Sequence, residues 1–533
     1  MSFDIRRFFR NGAVLALSAL LMRTVSVAFG AYVTRKVGVE GMGLYSLIMS
    51  VYTLFVTFAT SGVHLAVTRL VAEAEGRRDR SGARAVLRTA LLYAVSFGTL
   101  ASVALFFGAS FLGRVLLGDG RTVPALRLAS LALVPVALSS VFAGYFTAVR
   151  RPSRTAATSV IEQGIRILLT VMALTALLPS GMTYACLALV LGSAIAEILS
   201  ALLAGLLYAV DSRRLRRVAV GKLPIRQVLH ITLPIAASSY VRSGLLSAEH
   251  MLIPRALSKG SISREEALGA YGVLSGMALP IALYPMALLS AFAGLLVPEF
   301  AERAALGRDE DNRRLAESTL TAALWFGIAV GGVMAVTAPI LTQAVYDTKD
   351  AALYLALLAP ILPVMYLDHV TDVMLKGLGR QVYAMGVNIL DSVGSILLVL
   401  LLLPRLGAVG YVLVILLAEI FNFGLSIAGL HTALDFHFPY VRGVIYPLAA
   451  LFASVTLLRL VFPLSGAVWQ MILFMALALV LYLLFLFLLL FLDVRIGRRK
   501  KETPPPLDKS AAIGYNGCMF GRSTAAGGRR EGE

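Results

Sequence analysis

The sequence predicts an all-α integral membrane protein of about fourteen transmembrane helices, arranged as two pseudo-symmetric six-helix lobes followed by two C-terminal helices. Three observations carry this. The 533 residues are 58% hydrophobic and 15% charged, with a mean hydropathy of +0.82, against about 45–50% apolar and about 25% charged in soluble chains. The excess is gathered into runs bounded by Arg, Pro, Gly or Asp, each near the roughly 20 apolar residues that cross about 30 Å of hydrocarbon. Segments of the first half also recur in the second at nearly constant spacing.

Taken in order, the runs cover 13–33, 42–64, 87–109, 126–149, 156–178, 183–209, 228–252, 268–296, 317–341, 351–374, 382–403, 408–430, 444–463 and 467–492. The run at 13–33 follows Arg6, Arg7 and Arg10 like a signal peptide. It contains Arg23, however, and is too long and too charged for a cleaved apolar region, so it reads as a retained first helix. Pro234, Pro280 and Pro285 fall inside the seventh and eighth runs, where proline kinks a helix, as a hinge or as a static bend. The fourteenth run is very rich in Leu and Phe. After it, 496–533 is Pro/Gly-rich and polar, the composition of a disordered tail. The expected divisions are 1–212 for the N-lobe, 213–435 for the C-lobe, 436–495 for the last two helices and 496–533 for a cytoplasmic tail.

An even number of spans places both termini on one side. The loops on the side of the termini carry 29 Lys and Arg, and the opposite loops carry 10. Basic loops stay in the cytoplasm, so both termini are expected there, in a bacterial cytoplasmic membrane. The net charge of +18 is explained by this bias and gives no reason to expect nucleic acid as a partner. Two cysteines, Cys186 and Cys518, make neither a disulfide framework nor a four-thiolate metal site. The sequence has no GxxxxGK[ST] phosphate loop, no HExxH and no GxSxG. The outer loops are short, so covalent chemistry by a large outer domain is not expected.

The repeat pairs "GLYSLIMS…LVAE" (Gly43 to Glu73) with "GAYGVLSG…LVPE" (Gly269 to Glu299) at a shift of 226. It pairs "RRPSRTAATSVIEQG" (Arg150 to Gly164) with "GRQVYAMGVNILDSV" (Gly379 to Val393) at a shift of 229. A parallel repeat of six spans relates two lobes by an axis along the membrane normal, with the substrate path between them. At a shift of 219, Arg23 falls on Arg242, so each half opens with a helix bearing a central arginine.

Such a charge costs at least about 2.5–3.5 kcal/mol in lipid, and Arg23 is too deep to reach the interface. Ala16, Ala19, Arg23, Ser26 and Gly30 recur at spacings of three and four, and Ser238, Arg242 and Glu249 share a face. Both stripes read as cavity walls. Two readings stay open. In one, Arg23 and Arg242 hold phosphate oxygens, with Ser26, Glu249 and Arg69 lining the same path. In the other, the arginines pair with an intramembrane acid such as Glu162, Glu197, Asp391 or Glu419. Arg69 also fits an interfacial anchor, and Arg166 lies one turn from Glu162. Asp368, Asp372 and Asp391 are candidates for ion coupling, for helix caps or for arginine partners. His64 and His369 read as satisfied structural histidines.

On three stretches the chain resembles a known family. They are "SGVHLAVTRLVAE" (Ser61 to Glu73), "EHMLIPRAL…YGVLSGMALPIALYPMALLSAFAGLLVPEFAE" (Glu249 to Glu302) and "MLKGLGR" (Met374 to Arg380). They resemble the stage V sporulation protein B branch of the polysaccharide flippases. That group lies within the multidrug/oligosaccharidyl-lipid/polysaccharide exporter superfamily, which also holds the lipid II flippases. The resemblance spans about 5–495. It implies two six-helix lobes with alternating access and a polyprenyl-pyrophosphate-linked saccharide as cargo, such as a peptidoglycan precursor, in sporulation or envelope assembly. It further implies arginines on the first helix of each lobe that bind the pyrophosphate, here Arg23 and Arg242, and a lipid-tail groove at the last two helices. No cofactor is implied. The expected partners are the lipid-linked saccharide, membrane lipids and envelope-synthesis enzymes, and the drive is a monovalent cation gradient, the membrane potential or consumption of cargo. A drug or cation antiporter of the same superfamily and a non-transporting scaffold are the alternatives.

Overall fold

The computed structural model describes residues 5–149, 151–212, 223–259, 263–436, 438, 440–462 and 467–502. Every element among them is helical. α1 (Ile5–Thr60) is 56 residues long, far more than one membrane crossing requires. It contains the two limbs expected as separate spans, joined at Gly38 (φ 77°, ψ 176°), a conformation only glycine adopts without strain. At Gly62 (φ 77°) the chain turns again into α2 (Val63–Gly76). α3 (Arg80–Phe111) starts on the Asp79 side chain, which accepts from the Gly82 N–H, and ends in a π-turn at Leu112–Leu116. α4 (Val123–Ser130) and α5 (Leu133–Ala148) follow, in a pair bent by 44°. α6 (Pro152–Leu177) and α7 (Met182–Asp211) complete the first half. Gly192 of α7 lies directly against Thr170 of α6.

The second half begins with α8 (Ile225–Ser258), which continues as helix through Pro234. α9 (Arg264–Val273) opens with a capping box between Ser263 and Glu266. It runs through a π-turn into α10 (Leu279–Ala282), and α11 (Met286–Ala305) follows. The stretch 264–282 meets 286–293 at 56°, so of the three expected proline positions Pro285 stands at a bend. α12 (Asp309–Tyr346), α13 (Ala352–Leu358), α14 (Leu362–Gly377) and α15 (Gln381–Leu434) come next. Gly407 (φ 59°, ψ −146°) breaks α15 as Gly38 breaks α1. α16 (Tyr446–Val461) and α17 (Val468–Glu502) close the chain. α17 runs past 496, the start of the expected tail, to Glu502, and the rest of that tail, 503–533, lies outside the described residues.

Among the described residues, nine helices are long and apolar enough to cross a membrane, or up to eleven when each bent pair counts as one span. The protein is therefore an all-helical, multi-pass integral membrane protein. One buried cluster joins α1, α3 and α5 to α8–α10 and α14, and so runs from the first half into the second. Another joins α11, α12, α14, α15 and α17. Large apolar side chains such as Phe107 and Leu460 are exposed, as lipid-facing positions require and water-facing ones do not.

Candidate functional site

Arg23 lies in the first limb of α1, half-buried. Its Nε is enclosed and has no hydrogen-bond partner. None of the four acids weighed as partners pairs with it. Glu162 and Glu197 are both held by Arg166, and Asp391 and Glu419 interact with groups of the second half. Arg23 lies within electrostatic reach of the Tyr346 hydroxyl at the end of α12. The next residue, Thr24, has its hydroxyl 2.8 Å from that of Tyr284, in the turn before α11. Ser26 is exposed, and its Oγ donates to the Met22 carbonyl at 2.9 Å.

Arg242 sits in α8 and is exposed. Arg23 has no acid partner among the described residues, but Arg242 lies within electrostatic reach of both Asp368 and Asp391. Asp368 accepts from Asn422 Nδ2 at 3.0 Å and from Ser426. Two turns beyond Arg242, the Glu249 carboxylate accepts from Ser395 Oγ at 2.5 Å. Glu419 interacts with Asp368 and Asp391, and one buried oxygen each of Asp368 and Asp391 has no partner. The second half thus gathers four acids: Asp368 and Asp391 lie beside Arg242, and Glu249 and Glu419 interact in turn with Asp391. Asp372 instead pairs with Lys376 one turn away, and His369 Nε2 meets Ser290 Oγ at 3.0 Å.

In the first half, Arg166 bridges Glu162 and Glu197, the latter at 3.2 Å, with all three side chains under a third exposed. Tyr52 lies close to all three, and Tyr45 close to Arg166 and Ser193. Arg69 is exposed on α2 and pairs with Glu73 at 3.0 Å, an arrangement that suits the interfacial alternative. Among the described residues they therefore form two polar groups and one arginine without an acid partner, rather than a single constellation. Thr24, Tyr284, Ser395 and Asn422 were not anticipated. Asn422 and Ser426, one helical turn apart in the run that also carries Glu419, were the available signal.

A family described as polysaccharide biosynthesis protein matches residues 8–303, more than half of the chain. The chain belongs to this family. The matched region contains Arg23, Arg69, Arg166 and Arg242 and ends before Asp368 and Asp391. The chain is similar to stage V sporulation protein B of Bacillus subtilis (strain 168), 25% identical over 421 residues, covering 76% of this chain and 80% of that one. It is 27% identical over 170 residues to the lipid II flippase MurJ of the same organism, 30% of this chain and 31% of the relative. Its fold resembles the solved lipid II flippase MurJ in an inward closed conformation, with a TM-score of 0.69 at 12% identity over 89% of this chain and 98% of that one. It also resembles an inward-facing multidrug resistance MATE family transporter, with a TM-score of 0.64 at 17% identity over 79% and 97%.

Proposed function

We propose that this chain is a flippase that carries a polyprenyl-pyrophosphate-linked saccharide across the cytoplasmic membrane by alternating access, without covalent chemistry. The observation that carries the reading is the guanidinium of Arg23, which has no carboxylate partner among the described residues and an unpartnered buried Nε. A membrane-buried arginine without a counter-ion is costly, and a diphosphate that accepts two parallel N–H bonds would supply the missing charge. The named activity of the lipid II flippase relative supports a lipid-linked cargo. The lipid tail would stay in the bilayer while the head group crosses.

Fourteen spans fit this reading. The breaks at Gly38 and Gly407 divide two helices into two passes each, and α8, with its arginines and glutamate, adds one to the apolar spans. The lobes would comprise 1–212 and 213–435, with 436–495 beside them and both termini in the cytoplasm. Arg242 would assist from the second half. Ser26 lines the path, and Arg69 acts at its mouth.

The acids around Arg242 favour a second reading, in which a monovalent cation or proton is bound in the second half, either to drive the flippase or as cargo of an antiporter. Reconstitution separates these. Proteoliposomes containing a labelled lipid-linked precursor are compared with ones containing a cationic dye. The flippase reading expects precursor movement that falls at least tenfold in Arg23→Ala and is partly kept in Arg23→Lys. Dye movement with unmoved precursor would establish the antiporter.

A further inference from the structure

Near the ends of four helices, the two halves are joined by arginines that donate to backbone carbonyls. Arg35, three residues before the Gly38 break, donates from Nη2 to the carbonyls of Ala344 (3.1 Å) and Val345 (2.8 Å). These belong to the last turn of α12, where carbonyls have no partner within the helix. In the opposite direction, Arg255, in the last turn of α8, donates from Nη2 to the carbonyl of Val115, in the π-turn that ends α3. Arg264, at the start of α9, adds a bond to the Leu117 carbonyl. Gly118 (φ 68°) permits that approach, since a Cβ there would stand 2.7 Å from Arg264 Nη1.

The two contacts are the same contact made twice. Arg35 and Arg255 are 220 positions apart, and Val115 and Val345 are 230 apart, close to the 219 to 229 shifts of the internal repeat. In each half, the arginine at the end of the opening helix crosses to cap the third span of the other half. By chain alternation, all four helix ends lie on the face opposite the N-terminus. A single such bond could be incidental packing, but a reciprocal pair at repeat-related positions is a joint between the halves.

We infer that Arg35 and Arg255 form a pair of crossed clasps that hold the two halves together at the outer face, and that both must release for the path to open on that side. This rests on the alternating-access reading. Hydrogen bonds to a charged donor are the stronger kind. Here they are partly exposed, so each stabilises the closed form modestly and reversibly, as a joint that opens in every cycle requires.

The test measures distance rather than transport. Spin labels are placed at Ser180→Cys, between α6 and α7, and at Asp350→Cys, between α12 and α13. Both positions are exposed, and the native Cys186 and Cys518 are replaced by alanine. Pulsed electron–electron resonance on the full chain in nanodiscs should give one short distance. Arg35→Gln with Arg255→Gln should add a longer population, each substitution raising the open-to-closed ratio about three- to tenfold. The corresponding Lys pair, which keeps charge and a donor, should shift it less. A Gln pair whose distribution superimposes on the parent's overturns the clasps, and so does a Lys pair that shifts as far as the Gln pair. If the double variant is not monodisperse, the single variants carry the same expectation. The readout needs no cargo. A clasp shift without precursor movement would remove only the flippase reading, and precursor movement with unmoved distances would remove only the clasps.

Discussion

The hydroxyls of Thr24 and Tyr284 meet at 2.8 Å although 260 positions separate them. Thr24 also donates to the Leu20 carbonyl at 2.7 Å. It has one hydroxyl proton, so Tyr284 is the donor between the pair. The bond ties the helix carrying Arg23 to the turn where the chain bends by 56°. Tyr284→Phe and Thr24→Val should each cost about 0.5–1.5 kcal/mol, measured as thermal unfolding in detergent. Because they remove one shared bond, the double variant should lose little more than either single one. Full additivity would show that the hydroxyls act independently.

Arg166 is held between Glu162 and Glu197. Arg166→Ala would leave two carboxylates together without a cation, which for a largely enclosed pair costs about 3 kcal/mol. Glu197→Gln should cost clearly less, because Glu162 keeps its partner one turn away. Thermal melting ranks the two. If Arg166→Ala melts with the parent, the bridge is not structural and Arg166 becomes available to cargo.

Much of this architecture was legible in the chain, and the reasons are local. Span lengths follow from the width of the bilayer, so the runs at 382–403 and 408–430 correspond to the two limbs of α15. Gly38 and Gly407 fall in the gaps between the expected runs, but that the helix would turn there on a single residue with positive φ was not legible, because the sequence gives no sign of a glycine's φ. The pairing of Arg166 with Glu162 was visible from the four-residue spacing. Its second partner, Glu197, was not, because that contact depends on how α6 packs on α7 through Gly192. Likewise the sequence makes Arg23 and Arg242 look equivalent. Only tertiary placement puts carboxylates beside one of them.

The environment of Arg242 predicts a suppressor relationship. Arg242→Ala removes the cation from beside Asp368 and Asp391, leaving like charges to repel. The variant should melt lower than the parent. Adding Asp391→Asn, which removes one of those charges, should restore part of the loss. If Asp391→Asn instead lowers the melting point equally with and without Arg242, the two residues are not coupled.

The last prediction concerns how closely the halves can approach. A Cβ on Gly272 in α9 would press on the Val39 carbonyl oxygen and stand 2.9 Å from the Gly43 nitrogen in α1. Both obstacles are backbone, which yields less than a flexible side chain. Gly269, one turn earlier, faces only a Val39 methyl at 3.5 Å, an ordinary contact. Gly272→Ala should therefore cost at least the roughly 1–3 kcal/mol of overpacking. Gly269→Ala should be neutral or slightly stabilising, since alanine favours helix by up to about 1 kcal/mol over glycine. Thermal unfolding of the two variants side by side checks the contrast. Equal melting points would mean that α1 and α9 stand further apart than the Gly43–Gly272 contact requires.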